Sequence, residues 1–282
     1  MKIVSGSSSL MLSSRLSEMT KIPMAHREIK RFSDGECYVR LHESLNGEDV
    51  ILIQNSYPDS NIIEYFLLVD AIRQYEIKSL TAIIPYFGYG RQDKRFNEGE
   101  PISAKVFAEH LSENVDRIIT INLHNPEVIN WFKVSAMEIK AEKILAKYFE
   151  KFNPDIIISP DKGSMERAKY LSELLNKPFI SLEKKRIDSE TVEIQTGNID
   201  VKNRVVAIID DMISTGGTIA TASSILKNLG ASKIVVGCVH GLFVANALNR
   251  IQRSVDVIFS TDTIENEKSV VSVAEEIAQK IL

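Results

Sequence analysis

The sequence predicts an α/β protein of two related domains, each a mainly parallel sheet flanked by helices. Three observations carry that expectation. Short β-branched runs alternate with longer amphipathic segments, the alternation repeats faintly in the two halves, and 282 residues are enough for two modest cores. Strands are expected at Val50–Gln54, Thr81–Pro85, Arg117–Leu123, Ile156–Ser159, Val205–Asp210, Ile234–Val239 and Val255–Ser260, where β-branched residues crowd into short apolar runs. Helices are expected at Asn61–Tyr75, Ile102–Ser112, Ala136–Lys151, Ser164–Leu175, Thr218–Leu229 and Ser269–Ile281, where apolar residues recur every three or four positions. The repeat pairs Ala82-Ile83-Ile84 with Ala207-Ile208-Ile209, and Arg117-Ile118-Ile119 plus His124 with Lys233-Ile234-Val235 plus His240. Between the paired strands the first half carries the longer loop, and a surplus loop suggests function there. With no linker or low-complexity stretch to mark a boundary, the element pattern places one near Met137, giving domains 1–137 and 138–282.

Hydrophobic residues at 44% and charged residues at 26% are ordinary globular usage. A net charge of −4 offers no global field for nucleic acid or anionic lipid, so neither is an expected partner. The apolar runs are far shorter than a membrane span, and Ser7-Ser8-Ser9 interrupt the N-terminal apolar stretch, unlike a secretion signal. A cytoplasmic protein is the expectation. Cys37 and Cys238 are the only cysteines, too few for a disulfide framework or a CxxC metal site.

The strongest chemical signal is VVAIIDDMISTGGT, residues 205–218. A buried strand ends in two carboxylates, Asp210 and Asp211, and a Ser/Thr/Gly loop then opens a helix at Thr218. Ligands of open α/β sheets bind at this carboxyl end. Gly216 and Gly217 allow the backbone to turn N–H groups toward an anion, the helix N-terminus adds positive potential, and Ser214, Thr215 and Thr218 supply hydroxyls. Phosphate would repel the adjacent carboxylates, so these suit sugar hydroxyls or a metal. A phosphorylated sugar meets both demands.

This segment resembles the phosphoribosyl-pyrophosphate loop of the type I phosphoribosyltransferase fold. Five further segments, Arg31-Phe32-Ser33-Asp34-Gly35-Glu36, Tyr89-Gly90-Arg91-Gln92-Asp93-Lys94, Pro101-Ile102-Ser103-Ala104-Lys105, Leu123-His124 and Ser159-Pro160-Asp161-Lys162-Gly163, resemble in order those of the ribose-phosphate pyrophosphokinases. The resemblance spans nearly the whole chain. It implies two similar phosphoribosyltransferase-like domains and transfer of the βγ-diphosphoryl group of ATP to ribose 5-phosphate with Mg²⁺, releasing AMP.

Each segment also has a reading of its own. Arg91, Gln92 and Asp93 lie in the surplus loop among Gly88, Gly90 and Gly99. By themselves they read as a solvated charged loop or as a lid over a triphosphate, and the resemblance implies ATP contacts, with Arg91 catalytic. Phe32, Asp34 and Glu36 offer an aromatic face and acceptors suited to adenine, or simply a turn between strands. The resemblance assigns them to ATP, reaching the site of a neighbouring subunit, so that a homodimer is the minimal active unit and a higher oligomer is open. His124 follows a strand and can meet a phosphate or a metal-bound oxygen. The resemblance assigns it to ATP and, with Asp161, to the metal. Two residues earlier, the family's usual Asp is replaced by Asn122, a weaker ligand for magnesium. Asp161, Lys162, Gly163 and Ser164 form a second anion-binding turn, resembling the pyrophosphate loop. Ser164 stands where the family usually has Gly; it tolerates positive φ less well but can cap a helix. Lys184 and Arg186 read alone as a solvated face and by resemblance as catalytic cations. A general base is not demanded, because phosphoryl-type transfer depends on positioning and charge neutralisation.

No Walker-type or protein-kinase segment is present. Two rival readings remain at this level: a base phosphoribosyltransferase consuming the same sugar diphosphate, which needs the 210–218 loop but not the RFSDGE or RQDK segments, and a non-catalytic regulatory homologue, which would typically have lost Arg91, Lys184, Arg186, Asp210 and Asp211.

Overall fold

The computed structural model describes residues 1–186, 192–195 and 200–282, with 183–186 and 192–195 described by backbone alone. In chain order the elements begin β1 (Lys2–Ser5), α1 (Leu10–Thr20), β2 (Arg27–Arg31), β3 (Cys37–Leu41), β4 (Asp49–Ile53), α2 (Asp59–Arg73), β5 (Ser79–Ile84), α3 (Ser103–Leu111), β6 (Arg117–Ile121) and β7 (Ser135–Ile139). They continue with α4 (Glu142–Phe149), β8 (Ile156–Ser159), α5 (Met165–Leu175), β9 (Phe179–Ser181), β10 (Glu183–Arg186), β11 (Val192–Gln195), β12 (Val205–Ile213), α6 (Gly217–Asn228), β13 (Lys233–Gly241), α7 (Ala247–Ile251), β14 (Val257–Thr261), β15 (Ser269–Val271) and α8 (Ala274–Ile281). Two compact units result. One comprises Met1–Lys140, Thr263–Glu265 and Ser272–Leu282, and the other Ala141–Asp262 and Asn266–Val271.

The first unit holds a sheet in the order β1-β4-β5-β6-β7, parallel throughout, plus the antiparallel hairpin β2-β3. Its central strands read as unbroken apolar runs because helices cover both faces. Leu52, Ile84 and Ile118 pack with Leu68, Ile72 and Ala108 from α2 and α3, while α1 lies beside α8 with Leu12, Leu16 and Ile277 fully buried. The second unit holds a parallel sheet in the order β15-β14-β13-β12-β8-β9. Ile158, Val206, Ile208 and Val236 pack with Ile219, Ala222 and Leu226 of α6 and Ile251 of α7, and α4 and α5 pack against β13, β8 and β12. The two sheets match the α/β expectation.

Several expected elements differ. The helix expected over 136–151 is β7 followed by α4, and the one expected over 269–281 is β15 followed by α8. In both places a short edge strand carries apolar residues that continue the periodicity of the helix after it. Only pairing with β6 or β14 separates the two. The elements β1 and α1 are not among the expected ones, β1 being only four residues long, while β2 and β3 flank 32–36 as in the reading of that segment as a turn between strands. The expected second domain, residues 138–282, differs in three places from the observed division, one of them the short segment Thr263–Glu265, which falls in the first unit. The break falls after Lys140, and the last eleven residues pack in the first unit, where Ile277 and Ala278 bury the apolar face of α8. The element pattern does not show this, because an apolar face alone cannot name its partner.

Candidate active site

In the second unit the chain runs from β8 outward to β9, then returns so that β12 pairs with the other side of β8 and the order proceeds to β15. The strand order therefore reverses between β8 and β12, and at such a switch point the loops after neighbouring strands diverge and open a crevice. The two loops there are 160–164 and 214–216, the two singled out in the sequence.

Strand β12 continues through Asp210 and Asp211 to Ile213, three residues further than expected. Asp210 faces Cys238 in register, and the backbone N–H groups of Asp211 and Met212 donate to the Asp210 and Asp211 carboxylates at 2.9 and 2.8 Å. Burial, the neighbouring charge of Asp211 and a side-chain hydrogen bond with it push the Asp210 carboxyl well above its ordinary range, with Asp161 adding and Arg167 opposing. A folded-state pKa raised above the unfolded value makes this carboxyl destabilising as pH rises past the ordinary Asp value near 3.9. We expect Asp210→Asn to raise Tm at pH 7–8 by about 2–4 °C for each kcal/mol recovered and to lose that gain toward pH 4. A gain independent of pH would mean that the side chain is not under this strain.

Gly216 alone of the expected glycine pair adopts positive φ, at 72°, and the helix opens at Gly217. A Cβ at Gly216 would stand 2.6 Å from Cδ1 and 2.9 Å from Cγ1 of Ile251, which is fully buried, whereas one at Gly217 would meet nothing within 4 Å. Gly216→Ala is therefore expected to cost roughly 1–3 kcal/mol and to raise KM for whatever the loop binds. Gly217→Ala should leave stability near wild type, and thermal unfolding separates the two. The carbonyl side of the loop is held from behind. The Val244 N–H donates to the Ser214 carbonyl at 3.1 Å and Arg250 donates to the Thr215 carbonyl.

In the other loop Asp161 Oδ1 accepts from the N–H groups of Gly163 (3.0 Å) and Ser164 (3.2 Å) and from the Ser164 hydroxyl (3.1 Å). Ser164 occupies the N-cap at φ −95° without a side-chain cap bond. No positive φ is required there, and its buried hydroxyl turns back to Asp161 and Ser159 instead of capping α5. Lys162 is exposed.

In the first unit, parallel pairing puts the carboxyl ends of β5 and β6 side by side, and this brings Arg91, Gln92, Asp93 and His124 to one edge. A Cβ built on Gly90 would lie 3.8 Å from that of His124. Asn125 Nδ2 donates to Asp93 Oδ2 at 2.8 Å, and the Ser103 hydroxyl at the start of α3 donates to the Gln92 side chain. Gln92 and Asp93 are thus anchored, while Arg91 and the His124 side chain are exposed. Asn122 is buried at φ 42°, a conformation that Asn tolerates. Phe32, Asp34 and Glu36 form the tip between β2 and β3. The Phe32 N–H donates to the Glu36 carbonyl (2.9 Å), the Glu36 N–H to Asp34 Oδ1 (3.0 Å), and the Phe32 ring, half exposed, meets Tyr38 edge-on. These bonds stay within the hairpin and do not join the tip to the Arg91 loop. Lys184 and Arg186 lie on β10, paired with Ile194 and Val192, and their side chains fall outside the described residues.

Asn125, Arg167 and Arg250 take part here without having been singled out. Asn125 sits beside His124 and before Pro126, a visible capping signal, and its side chain accepts from the Glu127 N–H at 3.0 Å. Nothing in local spacing announces Arg250, 35 residues from the loop it holds. Among the described residues no group of three His, Cys, Asp or Glu side chains forms a metal cage.

The model for the N-terminal domain of ribose phosphate pyrophosphokinase matches residues 1–114, and that for the phosphoribosyl transferase domain matches residues 131–277. A ribose-phosphate pyrophosphokinase from Thermoplasma acidophilum is 41% identical over 97% of this chain and 96% of its own, and one from Pyrococcus furiosus is 40% identical over 98% of each. The structure of phosphoribosylpyrophosphate synthetase from Mycobacterium smegmatis superposes with a TM-score of 0.88 at 27% identity, covering 99% of this chain and 97% of that one. With the two loops at the strand-order reversal and the surplus loop beside His124 all in place, the chain belongs to the ribose-phosphate pyrophosphokinase family.

Proposed function

We propose that the protein transfers the diphosphoryl group of ATP to the anomeric hydroxyl of ribose 5-phosphate, forming 5-phospho-α-D-ribose 1-diphosphate and AMP. The hydroxyl oxygen forms a bond to the β-phosphorus, the bridge between the α- and β-phosphorus breaks, AMP leaves with the bridging oxygen, and the hydroxyl proton passes to solvent. The observation carrying this reading is that one chain, alike its relatives over its whole length, holds both the sugar-phosphate loop and the two segments a base phosphoribosyltransferase has no use for.

In this reading Ser214, Thr215, Gly216, Gly217 and Thr218 hold the 5-phosphate and Asp210 and Asp211 hold ribose hydroxyls. Asp161, Lys162, Gly163 and Ser164 cradle the transferred diphosphoryl group. Phe32, Asp34, Glu36, Arg91, Gln92, Asp93 and His124 hold ATP, and Arg91, Lys184 and Arg186 neutralise the migrating charge. Mg²⁺ suits this donor set, since it takes one or two protein ligands and leaves the rest to water and phosphate oxygens. His124 and Asp161 would hold it. The three donors on Asp161 all go to Oδ1, leaving Oδ2 for a cation, and the strained Asp210 carboxyl favours positive charge nearby. When bound, the metal would supply charge neutralisation on the phosphates.

A homodimer is the minimal active unit we infer. Ile63, Phe66 and Leu67 form an outward apolar stripe on α2 at exposures of 54, 37 and 38%, beside the hairpin that would reach a neighbour. Phosphorylated substrates and ATP support a reaction in the cytoplasm. None of the described helices is long and apolar enough to cross a membrane. The test is incubation with ATP, Mg²⁺ and ribose 5-phosphate. AMP with a diphosphorylated ribose supports the reading, whereas ADP or no turnover overturns it.

A further inference from the structure

We infer that Arg31 is a positioning residue that sets the pose of the 32–36 hairpin tip, and through it the affinity for ATP. This inference rests on the assignment of that tip to the nucleotide. Among the described residues the backbone bonds of the tip are internal, so the turn can keep its shape while swinging about the end of β2 and β3. Arg31, the last residue of β2, spans that joint. One Nη donates to the Gly35 carbonyl at 3.3 Å, and the other donates to the Ser60 carbonyl on α2 at 3.3 Å and lies 3.9 Å from Glu64 Oε2.

Glu64 makes a rigid anchor. It is 1% exposed and accepts from the Ser7 N–H (2.6 Å), the Ser7 hydroxyl (2.7 Å) and Gln54 Nε2 (2.8 Å), groups at the carboxyl ends of β1 and β4. A buried carboxylate with three donors has little freedom, and its remaining charge faces Arg31. At the root of the hairpin, Arg27 Nε donates to the Ser5 carbonyl at 2.7 Å. The hairpin is thus held at both ends of β2 to the same corner of the sheet, and among the described residues it is the Arg31 contact that reaches the tip. The planar fork lets one guanidinium bridge two carbonyls at once, which a lysine ammonium on a flexible stem does poorly. A tip free to swing must be ordered when adenine binds, and that entropy is subtracted from affinity.

Arg31 is exposed, so Arg31→Met keeps the stem and should fold normally. We expect KM for ATP to rise roughly three- to tenfold, with KM for ribose 5-phosphate unchanged and kcat at saturating ATP within about twofold. Arg31→Lys should fall between. Amide hydrogen exchange over 31–37 in the ATP-free protein should quicken in Arg31→Met while the β4 and β5 amides stay protected. Unchanged exchange in the tip overturns the inference whatever the kinetics, as does a fall in kcat without a rise in KM for ATP. Faster exchange with KM for ATP unaltered, both in Arg31→Met and in Phe32→Ala, would instead overturn the nucleotide assignment of the tip, and with it the affinity role of Arg31.

Discussion

Arg91→Ala and Lys184→Ala should each lower kcat by about 10²–10³-fold while leaving thermal unfolding unchanged. In the reaction proposed here negative charge spreads over the oxygens of the migrating group, and a cation that meets it mainly in the transition state acts on kcat. Arg91 is suited to that role by its surroundings. Its neighbours Gln92 and Asp93 are tied to Ser103 and Asn125, so the backbone beside it is placed, yet its own side chain is exposed. Removing it should cost catalysis and not fold. Lys184 sits on a hairpin strand outside both main sheets, so the same separation is expected. Steady-state kinetics decide the matter. If either variant keeps kcat and only KM rises, the residue binds substrate and transition state alike, and the catalytic role is wrong.

Mixing two inactive variants should restore activity. One carries Asp34→Ala on the hairpin tip and the other Lys184→Ala, each nearly inactive alone. If the tip serves the neighbouring chain in a two-fold dimer, a mixed dimer puts both defects into one site and leaves the other intact. Random exchange makes about half of the dimers mixed, so about a quarter of all sites should recover. Sites built within one chain recover nothing. Persistent inactivity after exchange verified by mass-tagged subunits would refute the shared site and leave the reaction assignment standing.

Local chemistry made much of the protein legible in the sequence. The buried strands around Ile83, Ile118, Ile157 and Ile208 announce themselves because both of their faces are covered, and the DDMISTGGT loop does so because its carboxylates, hydroxyls and glycines are consecutive. The RFSDGE tip was legible for the same reason, and it forms a turn between strands. Short edge strands are not legible in the sequence, since β7 and β15 are apolar at positions that also continue a helix, and only a neighbouring strand tells the two apart.

Which distant residues meet is settled only by the packing of the whole chain. The α/β class is written in the alternation of short apolar runs with amphipathic segments, and the carboxylates, hydroxyls and glycines of residues 210–218 are legible because they are consecutive. Parallel pairing then placed the surplus loop beside His124. The reversal of strand order brought the loops after β8 and β12 together, Arg250 came to hold Thr215, and α8 joined the first unit against the direction of the chain. These are long-range choices. Hydrophobic burial is non-directional, so an apolar face specifies that it must be covered and leaves the partner to be fixed by the packing of the whole chain.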